Sequence, residues 1–177
     1  TRRVFSGVLA AILVAVVLIL PGVAEARSRG GATPRTYAGI VVDAKSGKVM
    51  FEKDADSLRF PASVSKVMTL YILFQELSAG HITLRTKFNV SQWAASAEPT
   101  KLGLRPGSQI AVEDVIRAIV TLSANDMARV VAENISGSES KFAQRMTSTA
   151  HALGMMRTTY VNASGLPDGR QITTARD

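Results

Sequence analysis

An apolar run extends from Val4 to Leu20 behind Arg2-Arg3 and stops at Pro21-Gly22. Ala24-Glu25-Ala26 follows in the small-x-small pattern of an export cleavage point, so residues 1–26 read as a secretory signal peptide cut after Ala26. The run is near the lower length limit of a permanent membrane span, but a Pro-Gly break and a cleavage pattern have no role in an anchor. Arg2-Arg3 also resembles the twin-arginine export signal. A basic pair opens most signal peptides, and the strong apolar run favours ordinary secretion. Residues 27–35, RSRGGATPR, carry no hydrophobic period and read as a linker.

From residue 36 the pattern changes. Two β-rich runs, Tyr37–Asp43 and Lys48–Lys53, flank Ser46-Gly47 and predict a hairpin. A loop to Pro61-Ala62 leads into FPASVSKVMTLYILFQELSAG, residues 60–80, which predicts one long helix, apolar on nearly every face and stopped by Gly80. Lys87–Ser91 suits a short strand, and SAEPTKLGLRPGSQ is a loop punctuated by Pro99, Gly103, Pro106 and Gly107. Helical periods then cover Val112–Leu122, Asp126–Ile135 and Ser140–Leu153. Glu113 and Asp114 stand in the first turn of the first of these, where the helix dipole favours acids. Thr158–Asn162 suits a strand, and Thr174 with Asp177 looks like a helix-start capping pair. A hairpin, a helical middle and a return towards strand make an α+β class, with an antiparallel sheet whose later strands are expected beyond residue 177. On this reading residues 36–177 are the N-terminal part of an incomplete domain.

Composition narrows the chemistry. Hydrophobic residues make up 46% of the chain, enough for a real core. Cysteine is absent, which removes disulfides, thiol catalysis and thiolate metal sites together. His81 and His151 lie far apart in no metal-ligand pattern, so neither zinc nor a histidine-based triad is expected. The net charge of +7 is spread among interspersed acids, with no aromatic-interleaved basic block, which argues against nucleic acid. It suits anionic substrates or an anionic wall or membrane surface.

The question raised by residues 60–80 is why so apolar a helix carries Ser63 and Lys66 one turn apart. The S-x-x-K spacing occurs twice, at Ser63/Lys66 and at Ser138/Lys141. The second pair opens a polar helix, GSESKFAQRM, and its lysine is expected to sit in water with an ordinary pKa. Around Ser63, apolar side chains dominate, and residues three apart share a face. Burial and the positive helix end both disfavour the Lys66 ammonium. A partly neutral amine there can take the serine proton, the nucleophile-and-base pair of covalent catalysis. The serine N–H is placed to stabilise an oxyanion. Against this stands a plain structural reading, with Ser63 a helix cap and Lys66 snorkelling to the surface.

Ser123-Ala124-Asn125 breaks the apolar run between two helices, and polar groups so placed must find partners. Alone it suits an ordinary interhelical turn. Together, S-x-x-K and S-x-N form two-thirds of the signature of penicillin-binding proteins and serine β-lactamases. With VVDAKSGKVMFEKDAD, RFPASVSKVMTLY, KLGLRPGSQIAVEDVI, TLSANDMARVVAE and LGMMRTTYVNASGLPDGRQITTARD, the chain from about Tyr37 to Asp177 resembles the D-alanyl-D-alanine carboxypeptidases, the low-molecular-mass penicillin-binding proteins.

The resemblance implies a β-lactamase/DD-peptidase-like fold: an antiparallel sheet with flanking helices plus a helical subdomain. It implies a peptidoglycan stem peptide ending in D-Ala-D-Ala as substrate, β-lactams as covalent inhibitors, and no cofactor. Ser63 would be nucleophile and Lys66 base. Ser123 would pass a proton to the departing D-alanine, and Asn125 would hold the substrate backbone and position Lys66. The family's K-T-G motif and its membrane-anchoring C-terminal segment do not occur before Asp177. Truncation is the expected reason, and the 177-residue piece is expected to be inactive and poorly stable alone. A class A β-lactamase would need a deacylating glutamate. Glu133, inside a helix, and Glu139, in a polar turn, are poor counterparts. A non-catalytic exported protein of the same fold is the remaining alternative.

Overall fold

Asp43 closes the first turn: its Oδ1 accepts hydrogen bonds from Ser46 N at 2.7 Å, Ser46 Oγ at 2.6 Å and Lys45 N at 3.2 Å. Around that turn, β1 (Gly39–Val42) pairs antiparallel with β2 (Val49–Lys53), with Ile40 opposite Glu52 and an irregularity after Val41. The computed structural model describes residues 37–177. The expected signal peptide and linker lie outside the described residues.

Residues 60–80 are not one helix. A 3-10 turn, Ala62–Val64, precedes α1 (Ser65–Ser78). Ala62 is held at φ 47°, in the left-handed region, so the α-helical path cannot begin at Phe60. Next come β3 (Lys87–Asn89), the short α2 (Gln92–Ala95), capped by Ser91 Oγ, and β4 (Gln109–Ala111), antiparallel to β3. The hydrophobic pattern does not foretell α2 or β4, because elements of three or four residues are too short to show a period. Helices α3 (Val112–Leu122), α4 (Asn125–Ser136) and α5 (Glu139–Ala152) follow within a residue of expectation. Thr158–Asn162 does not form a full strand. It makes a single bridge, Thr159 to Ile172. Thr174 Oγ1 accepts from Asp177 N at 3.0 Å, the first half of the expected cap.

The core gathers on α4. Met127, Ala128, Val130, Val131 and Ala132 are fully buried there, and the core cluster joins them to Ile72 and Leu73 of α1, Val115 and Ile119 of α3, and Phe142 and Met146 of α5. Asp126, also fully buried, accepts from Leu102 N at 3.0 Å and Gly103 N at 2.9 Å, which ties the loop before β4 to the start of α4.

Helix α1 departs from expectation in its burial. Lys66, Met68, Thr69, Ile72 and Leu73 are buried, but Val64, Val67, Tyr71 and Phe74 form an exposed stripe, with Val64 70% and Val67 67% accessible. Met50 and Phe51 of the hairpin are exposed as well. A helix apolar on all sides packs on all sides, and among the described residues this face is only partly covered: Val64, Val67 and Tyr71 line an open groove against Leu153, Met155 and Tyr160.

Candidate active site

Ser63 sits in the 3-10 turn, two residues before α1, and is exposed. Neither the 3-10 turn nor α1 begins with a side-chain cap hydrogen bond. The Ser63 hydroxyl is therefore not spent as a helix cap. Lys66, in the first turn of α1, is 3% accessible, so its ammonium does not snorkel to the surface.

Lys66 Nζ has three polar partners: Ser63 Oγ at 3.5 Å, Asn125 Oδ1 at 2.7 Å and the Ser164 carbonyl at 2.6 Å. Burial lowers its pKa from 10.5 to about 8. A neutral amine has two N–H donors and one lone pair. The amide oxygen and the carbonyl take the donors, which leaves the lone pair for the Ser63 hydroxyl. In this arrangement a neutral Lys66 can accept a proton from Ser63, while the two oxygens can still serve its charged form.

Asn125 reaches Lys66 because α3 ends abruptly. Ser123 adopts a left-handed conformation at φ 56°, Ala124 is extended, and Asn125 opens α4 with its N–H donated to the Thr100 carbonyl at 2.8 Å. The Asn125 amide is 6% accessible, and its Nδ2 donates to the carbonyls of Glu98 at 2.9 Å and Pro99 at 3.1 Å. Positioning of Lys66 is thus built in, whereas a bond to a substrate backbone requires exchange of one of these donors. Ser123 is half-buried and is not a partner of Lys66.

The second S-x-x-K pair separates as expected. Ser138 caps α5, its Oγ accepting from the backbone N of Lys141 at 3.3 Å, and the Lys141 side chain is exposed. His81 pairs with Glu76 at 2.8 Å, and His151 Nε2 meets the Thr158 carbonyl at 3.1 Å. Glu133 accepts from Ser91 Oγ at 2.5 Å. Glu139 is not in an open polar turn: its side chain is 10% accessible and accepts from Trp93 Nε1 at 2.9 Å and Ala163 N at 3.1 Å, with Arg129 Nε at 3.4 Å. Both glutamates are committed to structural partners.

Sequence reasoning misses the turn Asn162–Gly165, whose Ser164 carbonyl completes the lysine's surroundings. It acts through backbone atoms, so its side-chain pattern carries no signal. Thr69, one turn beyond Lys66, donates to the Ala163 carbonyl at 2.7 Å.

Residues 27–177 match the D-alanyl-D-alanine carboxypeptidase family. The chain is 36% identical over 146 residues to D-alanyl-D-alanine carboxypeptidase DacC of Escherichia coli, covering 79% of this chain and 36% of that protein. Its fold is similar to the crystal structure of the carboxypeptidase DacD from Francisella tularensis, with a TM-score of 0.77 and 35% identity, across 80% of this chain and 34% of the other. It is also similar to penicillin-binding protein D2 of Listeria monocytogenes in its cefotaxime-bound form, with a TM-score of 0.68 and 26% identity over 78% of this chain and 57% of that one. The chain spans only about a third of the length of the two carboxypeptidases. An α+β fold, a serine-lysine pair closed by S-x-N, and a match from residue 27 to residue 177 place this chain in the D-alanyl-D-alanine carboxypeptidase family.

Proposed function

We propose that the full-length protein is a serine-type D-Ala-D-Ala carboxypeptidase that trims peptidoglycan stem peptides. The observation that carries this is the buried Lys66, whose two closest partners are both acceptor oxygens and whose third is the exposed Ser63 hydroxyl. Neutral Lys66 takes the Ser63 proton as Oγ bonds to the carbonyl carbon of the penultimate D-alanine. The C–N bond then breaks, and the proton passes, helped by Ser123, to the departing D-alanine amine. Water, deprotonated by Lys66, attacks the ester. The shortened peptide leaves as a carboxylate and Ser63 regains its proton.

The Ser63 N–H supplies one oxyanion donor. The second, and the group that holds the terminal carboxylate, would come from a K-T-G strand beyond Asp177. That strand and its neighbours would also cover the exposed stripe of α1. Residues 27–177 produced alone are accordingly expected to bind a hydrophobic dye, to self-associate and to release no D-alanine. A cooperative unfolding transition together with turnover would overturn that expectation. The apolar run and cleavage pattern of residues 1–26 support a location in the periplasm or cell envelope, and a C-terminal segment would give it peripheral membrane association. β-Lactams mimic the substrate and trap Ser63 as a slow ester, since neither Glu133 nor Glu139 is free to activate a deacylating water.

The test is a paired assay on the full-length protein. It should release D-alanine from a D-Ala-D-Ala-terminated peptide and retain a penicilloyl ester for longer than one peptide turnover. Rapid penicillin hydrolysis without lasting label would make it a β-lactamase, and absence of both label and release would make it non-catalytic.

A further inference from the structure

We propose that Gly165 is a positioning residue for the nucleophile, and that the turn Asn162–Gly165 clamps Ser63 and Lys66 into register with each other. The proposal rests on the acylation chemistry above. Gly165 has φ +85°, and a Cβ built on it would overlap the Ala62 carbonyl and lie 3.0 Å from Ser63 N. Only a residue without a side chain allows the two backbones to approach this closely. On the other side of the approach, Ala62 is held at φ 47°. A non-glycine residue in that conformation persists only where its surroundings impose it, and Gly165 is the neighbour pressed against its carbonyl.

The same turn holds the base. Its Ser164 carbonyl accepts from Lys66 Nζ and its Ala163 carbonyl accepts from Thr69 Oγ1, so consecutive residues grip the nucleophile's backbone, the base and the next turn of α1. The turn is itself braced. Asn162 Oδ1 accepts from Gly165 N at 2.8 Å, and from Ser164 N and Ser164 Oγ at 3.2 Å each. Glu139 Oε1, fixed by Trp93 and Arg129, accepts from Ala163 N. The open 3.5 Å spacing between Ser63 Oγ and Lys66 Nζ is thereby set by a segment about a hundred residues away in sequence.

The test uses Gly165→Ala in the full-length protein, with Gly154→Ala as its control. Gly154 also has a left-handed φ, +91°, but a Cβ there meets nothing within 4 Å, so it reports backbone strain alone. Acylation by penicillin is resolved into non-covalent binding and the first-order acylation step. A misplaced nucleophile lowers that step by about 100-fold or more. Gly165→Ala should do so with binding little changed, while Gly154→Ala acylates at the wild-type rate. Equal acylation rates in the two variants overturn the proposal. If Gly165→Ala does not fold, Asn162 decides. Asn162→Ala removes the acceptor that braces the turn without adding bulk and should slow the first-order acylation step about tenfold with non-covalent binding little changed. No loss in Asn162→Ala overturns the proposal. A wild type that takes no label sinks the acylation chemistry itself, whereas a labelled wild type with indifferent Gly165 and Asn162 variants sinks only the clamp.

Discussion

Ser63→Ala in the full-length protein should take up no fluorescent penicillin, while Ser138→Ala should be labelled as strongly as wild type. The two serines share the S-x-x-K spacing and differ only in surroundings. Ser138 Oγ is spent on the Lys141 backbone N–H, and its lysine lies in solvent with no reason to lose a proton. Ser63 caps no helix and faces a lysine with 3% accessibility. Removing Oγ removes the only atom that forms the ester, so the loss is complete rather than partial. Ser138→Ala should instead lose about 1 kcal/mol of stability as a lost helix cap, read as a lower denaturant midpoint with label intact. Label retained by Ser63→Ala would show that the site is built elsewhere.

Lys66→Met should slow acylation by about 10³-fold, within the range for loss of a general base, while changing stability little. The stability result comes from two opposed effects. With a folded pKa of about 8 against 10.5 in the open chain, the unfolded state binds more protons between those values. Stability therefore rises with pH across that window. Below pH 8 the full penalty applies, about 3 kcal/mol for this shift, and Lys66→Met abolishes it. The substitution also strands the acceptors Asn125 Oδ1 and Ser164 O, at about 1–3 kcal/mol each where no water reaches them. These terms nearly cancel, so activity and stability separate. The pH profile supplies the sharper readout. Wild-type acylation should climb with pH and level off above about 8 as Lys66 loses its proton, and that step should vanish in Lys66→Met. A wild-type profile flat from pH 6 to pH 9 would remove Lys66 from the role of base.

Much of this was legible in the sequence because it is local. The hairpin follows from two β-rich runs around Ser46-Gly47, and α3, α4 and α5 from apolar residues recurring at helical spacing. Ser63 with Lys66, and Ser123 with Asn125, are each a fixed short spacing along the chain. The contrast between Ser63 and Ser138 is likewise visible in the residues that flank them.

What the sequence determined by itself is therefore the periodic elements, the paired motifs and the family that they mark. Tertiary structure decided whether those motifs work together. Lys66 and Asn125 are 59 residues apart and meet only because Ser123 turns the chain between α3 and α4. The Ser164 carbonyl arrives from 98 residues away, through a backbone atom that every residue carries and no motif can mark. The close approach of Gly165 to Ala62, the left-handed φ of Ala62 and the exposed stripe of α1 arise the same way. Spacing along the chain fixes which side chains share one face of one helix, but contacts between distant segments depend on packing of the whole, which no local pattern encodes.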